Sequence, residues 1–365
     1  MKFNTTKDVI IKSIQSVQTA INSKSSLPIL SNILIEANQD NIVLTTTDLD
    51  IALEVVMQVK PSTEGAITIP AKKFADIIKE LPDSETISIS VKKNNMVNID
   101  CEKSSFKIMG LPKEEFPQLP EFKNKDFITI QQSKLRTMIR MTSFAISHDE
   151  ARHVLNGILF VIKPTCIKLA ATDGRHMALI EHKTQLPKTM ERKFIVPTKA
   201  INELDKLLVE EGDVKIFFTD NQIMFETGKT KLVSRLIEGE FPDYEQVIPK
   251  EAKDKLVVAK DVLLAAIKRV ALFTKPDSMA IKIDLSKDKV TLSKSTPDLG
   301  EARVEVDADY KGKDFSIGFK PEYLVDLLKN INQDKIAFEM VDPEKPGVVR
   351  IGSEYIYVVM PMHID

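Results

Sequence analysis

Three stretches of this chain carry the same hydrophobic pattern. From Pro197 the apolar residues fall at +4, +7 and +11 (Ile201, Leu204, Leu208), a 3.6-residue period that predicts a short helix with one apolar face over 198–208. Pro70 is followed at +4, +7, +8 and +11 by Phe74, Ile77, Ile78 and Leu81. Lys320 is followed at the same four offsets by Leu324, Leu327, Leu328 and Ile331, with Pro321 one residue later. A proline there is expected to open the helix, because the N–H it lacks is one the first turn leaves unbonded. The three starting points lie 127 and 123 residues apart. A second helical face recurs at nearly the same interval: Ile10, Ile14 and Val17, then Leu135 and Ile139, then Leu263, Ile267 and Val270. Thr6 or Asp8 stands where it can cap the first of these. One pair of helices met three times predicts three copies of one domain.

Strand patterns follow each first helix. Leu30–Ile35 matches Leu155–Phe160 125 residues on, and Met279–Ile283 stands in the third copy. Val43–Asp48 matches Lys168–Asp173, and after each Thr-Asp turn a further strand begins, Ile51–Val55 and Met177–Ile180. A last shared strand is Ser105–Ile108, Lys231–Leu236 and Tyr355–Met360. Short alternating runs separated by turn residues predict antiparallel hairpins. The exits from the first two copies also match, Phe116-Pro117 with Phe241-Pro242, and proline-rich segments favour stiff extended connectors. These signals place boundaries near residues 124 and 250. Each of 1–124, 125–250 and 251–365 then reads as an α+β unit, two helices on one side of antiparallel sheet.

Composition narrows the class of protein. A hydrophobic share of 43% with 28% charged residues is that of a soluble globular chain, and no apolar run is long enough to span a membrane. The polar start Met1–Asp8 lacks the apolar core of a signal peptide, so the expected location is cytoplasmic. Cys101 and Cys166, far apart in sequence, suit a reducing compartment and offer neither a disulfide framework nor a metal site.

Charge is placed unevenly. The six predicted helices together carry +7, so with a total of −2 the remainder carries −9. Helices gathered on one side would form a repeated positive surface suited to a phosphate backbone. The alternative is that lysine and arginine are good helix formers on solvated faces.

With the repeats established, the chain resembles the bacterial DNA polymerase III β subunit family, the replicative sliding clamps. The resemblance runs from Met1-Lys2-Phe3 to Met360-Pro361-Met362. Its markers are Leu27-Pro28-Ile29-Leu30, Thr47-Asp48-Leu49, Leu155-Asn156-Gly157, Ala171-Thr172-Asp173-Gly174, Phe241-Pro242-Asp243-Tyr244 and Val358-Val359-Met360-Pro361-Met362. It implies three repeated DNA-clamp domains and a head-to-tail homodimer closed as a ring around double-stranded DNA, helices lining the hole and sheets outside. Lys24, Lys73, Arg152 and Lys199 are the DNA contacts it implies. Before Leu155, where the family often has aromatic residues, this chain has His153-Val154, and Asp149 adds an acid nearby.

The resemblance further implies a dimer interface of Phe106 and Ile108 against Leu272 and Phe273 of a second copy, with Lys103 and Lys107 near Glu301 and Glu305. The alternative buries all four apolar residues inside their own domains. A peptide pocket between domains two and three would contain Leu155, Thr172, Gly174, Arg175, His176, Met177, Pro242, Gln246, Val247, Tyr323, Val358, Met360, Pro361 and Met362. Leucine, valine and methionine suit an adaptable apolar cleft. Arg175-His176 reverses the order common in the family, and His363 stands where arginine is usual. Asp173 could instead only shape its hairpin, because domain one has the same turn at Thr47-Asp48 with no peptide role attached. Partners implied are the polymerase III alpha subunit, an ATP-driven clamp loader, other polymerases, ligase and mismatch-repair proteins, met through a short linear motif.

Catalysis finds little support. The five histidines show no metal-binding spacing, the 12 glycines build no phosphate loop, and no serine sits in a nucleophile elbow. Asp48, Asp50 and Asp173 could be paired carboxylates only if brought together, yet two of them occupy equivalent turns in different copies. No catalytic residue, cofactor or metal is therefore expected. A peptide-binding adaptor that never encircles DNA is the competing reading.

Overall fold

A computed structural model describes residues 1–21, 27–83, 86–120, 122 and 126–364. Among them six α-helices form: α1 (Lys7–Val17), α2 (Ala71–Glu80), α3 (Gln132–Ser143), α4 (Thr198–Leu207), α5 (Lys260–Ala271) and α6 (Pro321–Asn330). Their apolar stripes are buried as the periodicity requires: Ile10, Ile14 and Val17 on α1, Phe74 and Ile78 on α2, Leu324, Leu327 and Leu328 on α6. Burying each such side chain contributes roughly 2 kcal/mol, and this packing rather than intrinsic propensity stabilises helices of ten residues.

The helix ends differ from the sequence reading in instructive ways. Of the three residues Pro70, Pro197 and Pro321, Pro321 alone enters its helix at the first turn, whereas Pro70 and Pro197 are the last residues of strands Gly65–Pro70 and Arg192–Pro197. Pro70 has φ −56° and ψ 110°, an extended conformation that its ring tolerates, so the helix begins one residue later. Thr6 holds the N-cap position of α1, but its side chain makes no capping bond. Residues after α3 tighten into three-residue turns, Ala145 N–H to Thr142 O and Ile146 N–H to Ser143 O, which ends that helix at Ser143.

The chain gathers into two compact units, Met1–Arg136 with Lys199–Leu236, and Thr137–Thr198 with Ile237–Asp365. The first unit contains a four-stranded sheet ordered Lys2–Thr5, Ile87–Val91, Met96–Cys101, Ser104–Met109. It also contains an eight-stranded sheet ordered Gly65–Pro70, Asn32–Ala37, Ile42–Thr47, Ile51–Met57, Thr230–Arg235, Gln222–Thr227, Asp213–Phe218, Ile128–Gln131. The second unit repeats the plan. Its eight-stranded sheet runs Arg192–Pro197, Gly157–Lys163, Cys166–Thr172, His176–Lys183, Tyr355–Val359, Gly347–Ile351, Lys335–Glu339, Leu256–Ala259. Its four-stranded sheet is ordered Gly300–Asp307, Lys289–Thr296, Ile281–Ser286, Phe315–Phe319.

These long sheets each join two of the repeats. In each, a strand of one repeat is hydrogen-bonded to a strand of the next, Ile51–Met57 to Thr230–Arg235 and His176–Lys183 to Tyr355–Val359. The two seams are one joint used twice, since Ala52 faces Val233 in the first and Met177 faces Val358 in the second. Backbone N–H and C=O groups that would be exposed at a sheet edge are satisfied across the repeat boundary.

Candidate functional site

Thr172–Met177 is a turn of the second unit held by several side-chain bonds. Thr172 Oγ1 donates to the His176 carbonyl at 2.6 Å and accepts from Gly174 N–H at 3.0 Å. Asp173 Oδ1 accepts from the N–H groups of Arg175 (2.8 Å) and His176 (3.0 Å). Gly174 has φ +86°, a left-handed conformation that glycine adopts without strain. Burial raises the Asp173 carboxyl pKa, but the His176 and Arg175 N–H groups and the Tyr323 hydroxyl outweigh it and hold the group below its ordinary value.

From this turn the strand sends alternate residues to opposite faces of the sheet. Met177 packs with Val348 and Val358, and Tyr244, Ile248 and Ile356 lie against them. Leu179 on the same face joins Leu159, Val161, Ala170 and Ile195 under Phe241 and Tyr244. At the rim of this apolar floor, Val247 is 52% exposed and Met360 42%. Gly174, Arg175, Pro242 and Gln246 are exposed, Thr172, Pro361 and Met362 half-buried and Leu155 buried. Two backbone bonds hold the C-terminal segment here, Met360 N–H to Arg175 O and Met362 N–H to Gly318 O, each 2.8 Å.

His176 and Tyr323 belong elsewhere. His176 is buried on the opposite face, stacked on Tyr323 with ring centroids 4.0 Å apart and close to Phe144 and Tyr357. The Tyr357 hydroxyl donates to the Tyr323 carbonyl at 2.9 Å, so it accepts from His176 Nδ1–H at 3.0 Å. The Tyr323 hydroxyl donates to Asp173 Oδ2 at 2.8 Å. Burial depresses the His176 pKa to about 4, against the opposing pull of Asp173, so the imidazole is neutral near pH 7. Burial first, and then the bond to Asp173, raise the Tyr323 phenol pKa. Both residues therefore support the turn from beneath, and the polar rim falls to Arg175 and Gln246. Sequence order could not reveal this, because facing is decided by strand phase.

The residues read as DNA contacts divide similarly. Lys24 lies outside the described residues. Lys73 stands exposed on the first turn of α2. Lys199 is ion-paired with Asp48, whose carboxylate is almost fully buried. Arg152 donates from Nε to Asp149 at 2.9 Å and from Nη1 to the Asp173 carbonyl at 2.6 Å. Its guanidinium is engaged with the protein, and Asp149, which the sequence marked only as a departure, is its partner.

The four apolar residues assigned to a dimer contact sit on or beside sheet edges. Ser104–Met109 ends the first four-stranded sheet and Gly300–Asp307 ends the second. Ile108 is buried and Phe106 and Phe273 half-buried, whereas Leu272 is 76% exposed. Among the described residues no three His, Cys, Asp or Glu side chains could hold a metal ion, and no helix is long and apolar enough to cross a membrane.

Comparison with known proteins covers nearly the whole chain. Residues 1–120 match the DNA polymerase III beta subunit N-terminal domain, 129–243 its central domain and 245–363 its C-terminal domain. The chain is 32% identical over 364 residues to the beta sliding clamp of Chlamydia pneumoniae, covering 100% of this chain and 99% of that one. It is 34% identical over 369 residues to the beta sliding clamp of Pseudomonas aeruginosa, with 100% of each covered. The crystal structure of the DNA polymerase sliding clamp from Bacillus subtilis superposes with a TM-score of 0.95 at 28% identity, and the Bartonella birtlesii sliding clamp bound to griselimycin with 0.94 at 32%, both covering 100% of each chain.

Proposed function

The chain belongs to the DNA polymerase III beta subunit family, the beta sliding clamps, and from that membership we propose that two copies close head to tail into a ring around double-stranded DNA. The protein is a replication clamp with three clamp domains, read as 1–124, 125–250 and 251–365. Charge is the observation that supports encirclement best: α1 to α6 carry +6 and the rest of the chain −8. The sum is one unit below the sequence reading because Lys320 precedes α6. Exposed Lys12, Lys73, Lys268 and Arg269 are the side chains we assign to phosphates. Contacts to phosphate alone hold a duplex without reading its bases, so the clamp slides.

The cleft floored by Met177 and Val358 and rimmed by Val247, Met360 and Met362 is the docking site for short linear peptides. Through it the clamp would tether the polymerase III alpha subunit, the clamp loader, other polymerases, ligase and mismatch-repair proteins. It supplies no catalytic group of its own and works in the bacterial cytoplasm. The decisive experiment loads the protein onto closed circular DNA and then linearises the circle. A ring stays on the circle and leaves on cutting; equal retention on both forms would favour the adaptor reading.

A further inference from the structure

The seam of the first unit contains a cavity of about 190 Å³ that no peptide role yet covers. Its walls include Leu49, Ile51, Ala52, Leu119, Val233 and Arg235. Ala52 and Val233 face each other in the register that Met177 and Val358 occupy 125 residues later. The segment Pro117–Pro120 borders it as Pro242 and its neighbours border the later cleft. The two places are thus equivalent by repeat, and both are built within a single compact unit.

Among the equivalent positions that differ, Leu49 is conformationally distinctive. Where the second unit has Gly174 at φ +86°, the first has Leu49 at φ +79°. A branched side chain is disfavoured in that left-handed region, and Leu49 is also 43% exposed. The turn is clamped regardless: Asp48 Oδ1 accepts from Asp50 and Ile51 N–H, Thr47 Oγ1 accepts from Leu49 N–H, and Lys199 pairs with the Asp48 carboxylate. Strain retained to present an apolar side chain to water, at the mouth of a cavity, points to a ligand rather than to packing.

We propose that this cavity is a second peptide-docking site, taking one large apolar side chain of an extended partner segment with an acidic residue beside it. The volume suits a single leucine or phenylalanine side chain rather than a larger cofactor. Charge sets the flanking residue. Asp48 is already compensated by Lys199, so exposed Arg235 at the wall faces the ligand's carboxylate, while Asp50 faces its backbone N–H groups. The choice of a peptide as ligand rests on the reading of the later cleft; the cavity and the strained leucine do not.

The test uses the full chain with labelled methyl groups and the probe acetyl-Gly-Glu-Leu-Phe-Gly-amide. Saturable NMR shifts at Leu49, Ile51, Ala52 and Val233 are expected. Leu49→Gly, which restores the residue the turn favours and so keeps the fold, weakens those shifts about tenfold in affinity, the loss of one apolar anchor. Arg235→Glu weakens this probe and strengthens one with lysine in place of glutamate, while Met362→Ala leaves this site unchanged. No shift at millimolar probe, or shifts that survive both substitutions, would overturn the proposal. Shifts confined to Met177 and Val358 would overturn it while sustaining the later cleft; the reverse pattern would sustain it, and a Gln-Leu-rich peptide that then also left Met177 and Val358 unshifted would overturn the other.

Discussion

Single side chains in this protein are often engaged with one another where surface chemistry suggested free ends. Lys199 illustrates it: its ammonium compensates an almost buried carboxylate at Asp48, and removing it leaves that charge unpaired. Lys199→Met should therefore lower stability in urea unfolding by about 2 kcal/mol, with little change in how DNA retention depends on salt. His176 carries a pH signature. Its pKa falls from the ordinary 6.5 to about 4 on folding, so between those values the unfolded chain binds the extra proton and stability rises with pH. Acidification from pH 6.5 to 4 should remove up to about 3 kcal/mol, and His176→Gln should flatten that part of the stability profile. Asp173, with its pKa lowered, loses its contribution only below the ordinary carboxylate range, outside this window.

Among elements, the C-terminal segment and the strand beside it form the most sensitive junction. A Cβ on Gly318 would lie 2.4 Å from the Met362 carbonyl oxygen, closer than atoms can approach. Gly318→Ala should push residues 362–364 off strand Phe315–Phe319. Faster amide exchange at Met362 and a several-fold loss of affinity for a Gln-Leu-rich peptide would report it; unchanged exchange would show that the sheet absorbs the methyl group. Helix periodicity was legible throughout, because burial of one stripe dominates ten-residue helices. The seams were not legible. Lys231–Leu236 reads as a strand from its match to Ser105–Ile108 and Tyr355–Met360, but nothing in that match says that Leu232 lies opposite Leu53 rather than at a solvent edge. Gln222–Thr227 is illegible for a related reason, since its Ile-Met-Phe run breaks the alternation in sequence although every second residue is buried.

Assembly is where charge and edges act together. Head-to-tail pairing of Ser104–Met109 with Gly300–Asp307 of a second copy would satisfy two open edges and cover Leu272. Leu272→Ala combined with Phe273→Ala should yield folded monomers in sedimentation, and an undisturbed dimer would remove this interface. Lys73→Glu should shorten retention on circular DNA and reduce the salt dependence by about one phosphate contact. Lys199 and Arg152 substitutions should act through stability and the Thr172–Met177 turn instead.

The amino-acid sequence alone determined that one domain plan is written three times, that its helices taken together are cationic and the remainder acidic, and which turns recur. Those follow from spacing and composition, which are properties of the chain itself. Only the tertiary structure decided that Lys199 answers Asp48, that Arg152 answers Asp149 and the Asp173 carbonyl, that His176 and Met177 are buried on opposite faces of their sheet, and that Leu49 holds a glycine's conformation. Each depends on which distant segment arrives as a neighbour and on which face of a strand is covered, and a period of two or 3.6 residues carries neither.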